Sequence, residues 1–164
     1  MPQNGDKIIS LHNHWDYMSK NGEWALTNGS IGTIENFSLK EIWLPRYIKT
    51  GSPITYMMTN ISLDDGDTFV QIPIDYNDLV SGQPSLTPRQ IYQTNNNSHT
   101  PDAPFSFTYA YAITGWKAQG SEWNKVLGFE ESFPYDKKTH QQFAYTLTTR
   151  ASEKLVYVTQ DTKN

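Results

Sequence analysis

Apolar and polar residues alternate along the segment that precedes the polar loop 114–122. From position 105 to 114, small or polar residues occupy the even positions. Aromatic or aliphatic residues occupy the odd ones: Phe105, Phe107, Tyr109, Tyr111 and Ile113. A period of two predicts a β-strand with one buried face. Gly115 and Gly120 then interrupt the pattern and predict a loop.

Two further strands and a helix are predicted after this loop. Apolar runs at 126–129 and 155–158 favour short strands, and the four-residue spacing of Phe143, Leu147 and Ala151 is typical of a helix. Strand, loop, strand, helix and strand, in this order, predict an α/β fold with a parallel sheet and crossover helices. Because ligands of such sheets bind beyond the carboxyl ends of the strands, we expect the loop 114–122 to lie there.

The chain before position 105 favours β structure joined by turns. A short strand is predicted at 5–11, and Asn28-Gly29 is a hairpin-type turn sequence. Residues rich in β-branched and aromatic side chains predict strands at 41–48, 54–63 and 68–74. Pro73 indicates that the last of these is an edge strand or ends there.

Two short segments have alternative interpretations. The acidic turn 64–67 lacks the ligand spacing of a calcium loop, so a solvated hairpin tip is favoured. His12 and His14 could bind a metal, but no third ligand is near in sequence, and a polar strand end is the simpler interpretation. Residues 75–104 are predicted to be a long loop with one helical turn, for which Thr87 is the cap and Pro88 the first residue.

Composition and charge narrow the class of protein. The 164 residues contain no cysteine, which excludes disulfides and thiolate metal sites. No window is apolar enough to span a bilayer, so we expect no membrane partner. The start lacks the plan of a signal peptide, and the absence of cysteine is compatible with the cytoplasmic location that we expect. Residues 21–108 carry four basic and nine acidic side chains, whereas residues 109–164 carry seven and six. The middle segment is therefore a poor autonomous DNA binder.

Three segments resemble motifs of superfamily 1 DNA helicases. Tyr-Ala-Tyr-Ala-Ile-Thr-Gly-Trp-Lys-Ala-Gln-Gly-Ser-Glu-Trp at 109–123 resembles motif V, and Phe-Ala-Tyr-Thr-Leu-Thr-Thr-Arg-Ala-Ser-Glu-Lys-Leu at 143–155 resembles motif VI. The stretch 5–16 is similar to the region of motif IV, with His14 where asparagine is usual. The RecD-like branch, which includes the exodeoxyribonuclease V alpha subunit and the Dda-type helicases, is the most similar.

The resemblance implies a second RecA-like helicase domain that is interrupted by an insert. Residues 1–20 and 105–164 would form this domain, and residues 21–104 would form an SH3-like β-barrel plus a loop. The implied partners are the first RecA-like domain of the same parent protein and single-stranded DNA. ATP with Mg²⁺ is implied only for the full-length enzyme, because the chain lacks a Gly-x-x-x-x-Gly-Lys-Ser/Thr phosphate-binding loop. We therefore expect the isolated chain to be inactive.

The resemblance also implies residue roles toward ATP. Arg150 matches the arginine finger of motif VI, which neutralises charge on the γ-phosphate. Glu122 would accept a hydrogen bond from the ribose, Gly120 would let the backbone approach the nucleotide, and Gln119 would orient toward a phosphate. The alternatives are a solvated carboxylate for Glu122, a loop cap for Gln119 and a surface guanidinium near a helix end for Arg150.

A second set of roles concerns DNA. Thr114 would bond a phosphate oxygen, and Lys117 would lie near the backbone. Trp116 replaces the usual histidine; its indole would stack on a base or, alternatively, pack against the inserted barrel.

Two other classes of protein remain open. One is a stand-alone β-rich module that binds carbohydrate or protein, and the other is a subunit that completes a partner ATPase in trans. A helicase fragment requires Arg150 and Glu122 to lie on one polar face near the strand ends.

Overall fold

The chain is a mixed α/β protein made mostly of strands, in two compact units. A computed structural model describes residues 1–44, 52–64, 66–96, 103–130 and 136–159. The described part of the unit Met1–Tyr111 contains β1 (Lys7–Ser10), β2 (His14–Met18), β3 (Ala25–Leu26), β4 (Ile31–Ile42), β5 (Ile54–Ser62), β6 (Thr68–Asp75), α1 (Tyr76–Ser81), α2 (Pro88–Asn95) and β7 (Phe107–Tyr109). That of Ala112–Asn164 contains β8 (Trp123–Phe129), α3 (Lys137–Thr148) and β9 (Ala151–Val158).

Five strands of the first unit form an antiparallel sheet, which an isolated parallel bridge between Ile74 and Phe105 closes. Their order is β6-β5-β4-β1-β7. Just before β7, the Phe105 amide donates to the Pro73 carbonyl at 2.6 Å, and the Asp75 amide donates to the Phe105 carbonyl at 2.9 Å. Residues 105–109 therefore contact β6 at their start and pair with β1 further along, so the sheet closes into a small barrel. Pro73 lies in β6, the last strand of the pairing order, but the bridge to Phe105 covers this predicted edge. The Pro73 carbonyl makes the contact there, so the missing amide hydrogen of proline is not needed.

Alternating apolar residues fill the inside of this barrel. Its core includes Ile8, Ile34, Met57, Ile61, Phe69, Ile72, Ile74, Phe105 and Phe107. The predicted acidic turn is the tip of the β5–β6 hairpin, where the Leu63 amide donates to the Asp67 carbonyl at 2.8 Å. Gly66 has a φ of 91°, which favours glycine at this tip.

Local capping explains the two helices of the first unit. The Asp75 carboxylate accepts from the amides of Asn77 and Asp78 at the start of α1. Thr87 and Gln90 form a capping box at the start of α2, with Pro88 in the first turn. The predicted cap is confirmed, and the helix is longer than one turn.

The second unit is a strand–helix–strand crossover. Strands β8 and β9 pair in parallel, with α3 between them in the chain. Phe143 and Leu147 are the buried residues of α3. A Cβ added to Gly128 of β8 would lie 2.8 Å from Cδ2 of Leu147, so the absence of a side chain there lets helix and strand pack closely. The parallel pair and its crossover helix confirm this part of the predicted fold.

Several predicted elements are wrong or differ in extent. The strand predicted from 105 to 114 spans only Phe107–Tyr109 and pairs antiparallel with β1, not in a parallel sheet with β8. A period of two specifies one buried face but not the sheet that covers it. Asn28-Gly29 forms a turn but no hairpin, because it joins β3 and β4, which lie in different sheets.

Other bounds differ from prediction by a few residues. Ala151 begins β9 and does not belong to the helix. Of the strand predicted at 41–48, positions 41 and 42 end β4, whereas 45–48 lie outside the described residues. Strands β1 and β7 come from the ranges assigned to the helicase domain, yet both join the closed sheet. The division into 1–20 with 105–164 and 21–104 stays a prediction.

Candidate nucleotide and nucleic-acid site

The loop before β8 is folded into a short helical turn. The Ala118 amide donates to the Thr114 carbonyl at 3.1 Å, and the Lys117 amide donates to Oγ1 of Thr114 at 3.3 Å. Ala118 is buried, and Gly120 ends the turn with a φ of 85°. Because the Thr114 hydroxyl accepts from a backbone amide, its own proton is available for a further acceptor such as a phosphate oxygen.

Close packing between this loop and α3 depends on Gly115. A Cβ added there would lie 2.8 Å from Cε2 of Phe143, which leaves no room for a side chain. The neighbouring Trp116 ring contacts the same phenyl ring, with centroids 5.7 Å apart and planes tilted by 60°. Trp116 nevertheless remains 41% exposed. The contact observed for Trp116 is thus with α3, and much of its indole stays open to solvent.

Arg150 ties the loop to the end of α3. Its Nη1 donates to the Ser121 carbonyl at 3.0 Å, and its Nε donates to the Thr146 carbonyl at 3.0 Å. Its Nη2 donates to Oγ1 of Thr149, also at 3.0 Å. The Trp123 amide in turn donates to the Arg150 carbonyl at 2.9 Å. The two segments that resemble motifs V and VI are therefore joined directly through Arg150.

The loop 114–122 and Arg150 lie at the amino ends of the parallel strands β8 and β9. The prediction that the loop lies at a carboxyl end is therefore wrong. Trp123 of β8 is paired with Ala151 of β9. Glu122 and Arg150 immediately precede these two residues, so they enter the sheet side by side. The expectation failed because the strand before the loop belongs to another sheet, and the loop therefore leads into β8 rather than out of a parallel strand.

The structure brings most of the predicted site residues together within the second unit. Glu122 and Gly120 are exposed on either side of Ser121, the residue that Arg150 contacts. Lys117 is exposed on the helical turn, one residue after Trp116. Gln119 is exposed as well, but it lines a groove together with Trp116.

This groove has a volume of about 570 Å³ and runs between the loop and one face of α3. Five of its lining residues come from the helix and were not singled out from the sequence: Lys138, Gln141, Gln142, Tyr145 and Thr146. The spacing of these residues at i, i+3, i+4, i+7 and i+8 places them on one helical face, and that spacing was present in the sequence. It is uninformative by itself because solvated helix faces share it.

Polar contacts stabilise α3 at its start. The Asp136 carboxylate accepts from the amides of Lys138 and Thr139 as the helix N-cap. The Thr139 amide and hydroxyl, followed by the Lys138 amide, lower the pKa of Asp136 below its usual value. His140 forms an ion pair with Glu130 when protonated.

His14 of the His-x-His segment packs against an aromatic ring. The described residues contain no group of three or more histidines, aspartates or glutamates that could hold a metal ion. The His14 ring stacks on Phe105 with centroids 3.6 Å apart. Burial, followed by the charge of His12, lowers the pKa of His14.

Residues 109–158 match the UvrD-like helicase C-terminal domain family. The matched range contains the whole β8–α3–β9 crossover, the loop that precedes it, and Arg150. The match therefore supports a superfamily 1 helicase C-terminal part and suggests DNA binding. No curated protein matches the chain. None of the helices in the described ranges is long and apolar enough to cross a membrane.

Proposed function

We propose that the chain is the C-terminal part of an ATP-dependent DNA helicase of the RecD-like branch, similar to the exodeoxyribonuclease V alpha subunit. The helicase family match over 109–158 supports the class. The branch is supported by the sequences of the three motif segments, which resemble those of RecD-like helicases. The β8–α3–β9 crossover would belong to a second RecA-like domain, and the closed antiparallel sheet would include the SH3-like insert.

The hydrogen bond from Arg150 to the Ser121 carbonyl carries this proposal. An arginine finger is more effective when it is held in place before phosphoryl transfer, since preorganised charge costs no rearrangement during the reaction. The three bonds described for Arg150 use three of the five guanidinium N–H groups and leave two for phosphate oxygens. Arg150 would thus complete the pocket of an ATP molecule bound by the first RecA-like domain.

The remaining site residues would divide between the two ligands. Glu122 is an exposed carboxylate suited to a ribose hydroxyl, and Gly120 keeps the backbone beside it uncovered. Thr114, Trp116 and Lys117 would contact single-stranded DNA through a hydroxyl, a ring and an ammonium group. ATP with its Mg²⁺ supplies the phosphoryl chemistry when bound. The residues of this chain only orient the nucleotide and neutralise its charge.

The decisive experiment is DNA-stimulated ATP hydrolysis by the complete protein encoded with this segment. We expect Arg150→Ala to lower kcat by a factor on the order of 10³–10⁵, as for other arginine fingers. Arg89→Ala is the matched control, because Arg89 is an exposed arginine of α2. Turnover that is equal in the two variants would refute the role of Arg150.

The same assay separates a helicase fragment from a subunit that acts in trans. If the encoded protein has no phosphate-binding loop of its own, Arg150-dependent stimulation of a separate ATPase would support a trans-acting subunit. If it has one and its activity depends on Arg150, the helicase assignment is supported.

A further inference from the structure

The groove between the motif V loop and α3 has no role in the function proposed so far. The family resemblance assigns Trp116 to DNA and Gln119 to ATP separately, and the proposed function leaves the helix side of the groove unused. We propose that the groove binds single-stranded nucleic acid, with bases stacked on Trp116 and Tyr145 and a phosphate beside Lys138. This inference rests on the proposed function and adds to it a contact surface from the motif VI helix.

Helix geometry sets the groove side of α3 apart from its packing side. On the packing side, Phe143 lies against Gly115 of the loop. Leu147 lies against Gly128 of β8. The lining residues Lys138 and Tyr145 are separated by seven residues, or about 10 Å along the axis. That length corresponds to about three stacked bases of one strand. The face is therefore long enough to follow a short run of nucleotides.

Two aromatic rings supply the stacking surfaces. Tyr145 is 71% exposed, and the packing of α3 relies on Phe143 and Leu147 instead. Trp116 is held from one side by Phe143, which restricts the indole while leaving part of it open. A restricted ring loses less conformational freedom when a base stacks on it. Stacking on an aromatic ring accounts for about 1–3 kcal/mol per base.

Polar groups of the groove match the rest of a nucleotide. The amides of Gln141 and Gln142 can each donate and accept, as base edges require. Among the described residues that line the groove, Lys138 is the charged one and none is acidic. The lysine favours a phosphate-bearing strand over a neutral oligosaccharide, although both stack on aromatic rings.

The test is fluorescence anisotropy of the full chain with a labelled oligothymidylate and with an abasic strand of equal length. We expect Tyr145→Ala and Trp116→Ala each to weaken oligothymidylate binding by about 5- to 150-fold, and to leave the abasic strand unaffected. Lys138→Gln should reduce the slope of log affinity against log salt by about 0.7. Tyr92→Ala is the control, because Tyr92 is an equally exposed tyrosine of α2.

A cross-link locates the bases directly. Irradiation of a strand that contains 5-iododeoxyuridine should attach it to peptides carrying Trp116 or Tyr145. Attachment only elsewhere would overturn the proposal, as would equal affinity for the abasic strand. If Lys117→Gln weakens binding but Tyr145→Ala does not, the groove is refuted while the proposed DNA contacts stand. If no strand binds, the proposed role of the groove is refuted. The effect of Arg150→Ala on ATP hydrolysis would then test the helicase assignment independently.

Discussion

Removal of the Arg150 side chain should loosen the junction between the loop and α3. Arg150 makes three hydrogen bonds of 3.0 Å, to the Ser121 carbonyl, the Thr146 carbonyl and the Thr149 hydroxyl. A typical intramolecular hydrogen bond contributes about 0.5–1.5 kcal/mol. Because the side chain is half-buried and the three bonds share one group, we expect Arg150→Ala to cost about 1–3 kcal/mol locally.

Hydrogen exchange measured by mass spectrometry on the full chain reports the local loss of stability at the junction between the loop and α3. The Trp123 amide donates to the Arg150 carbonyl, so its exchange requires the junction to open. A loss of about 1–3 kcal/mol should speed exchange in peptides covering this amide by about 5- to 150-fold. Arg150→Lys should lie between Arg150→Ala and wild type, since an ammonium lacks the planar fork that reaches several acceptors.

The control again is Arg89→Ala, which should leave this exchange unchanged. Exchange in Arg150→Ala that matches the control would show that the junction does not depend on the guanidinium, and the positioning argument for the finger would fail. We expect lysine to preserve the junction in part. If Arg150→Lys raises the activation free energy of ATP hydrolysis by more than it lowers the stability of the junction, Arg150 acts directly on the nucleotide.

Three further predictions test the packing, the pH response and the activity. Gly115→Ala should destabilise the second unit by about 1–3 kcal/mol in urea denaturation, because the added Cβ would overpack against Phe143. The same change in a Phe143→Leu background should cost much less, and equal costs in the two backgrounds would contradict the contact. The lowered pKa of His14 means that the unfolded chain binds a proton more readily, so stability should be complete above pH 6.5 and fall below it. His14→Phe should flatten this fall in melting temperatures between pH 7.5 and 5.5, and an unchanged fall would exclude His14. The isolated chain should show no steady-state ATP hydrolysis, and Arg150-dependent turnover by it would contradict the absence of a phosphate cradle.

Short-range chemistry made several elements predictable. Thr87, Pro88 and Gln90 lie within one turn of each other, so the start of α2 could be identified from their identities alone. The buried face of α3 follows from the four-residue spacing of Phe143 and Leu147. The place of β6 at the end of the strand order agrees with Pro73, which has no amide hydrogen to donate, although the bridge to Phe105 covers that end of the sheet.

Pairing over long range was not predictable in the same way. The alternation from Phe105 to Tyr109 required a buried face, but several sheets could have supplied it, and the barrel core did. The position of the candidate site at the amino ends of β8 and β9 follows from that choice of sheet.

The sequence by itself determined the residue types of the candidate site, their order along the chain and the local elements that carry them. These depend on contacts within a few residues. Only the tertiary structure decided that Arg150 bonds to Ser121 and that Trp116 shares a groove with Tyr145. Both depend on how α3 packs against a loop some thirty residues earlier. The glycines at 115 and 128 permit that packing, but their spacing alone does not specify it.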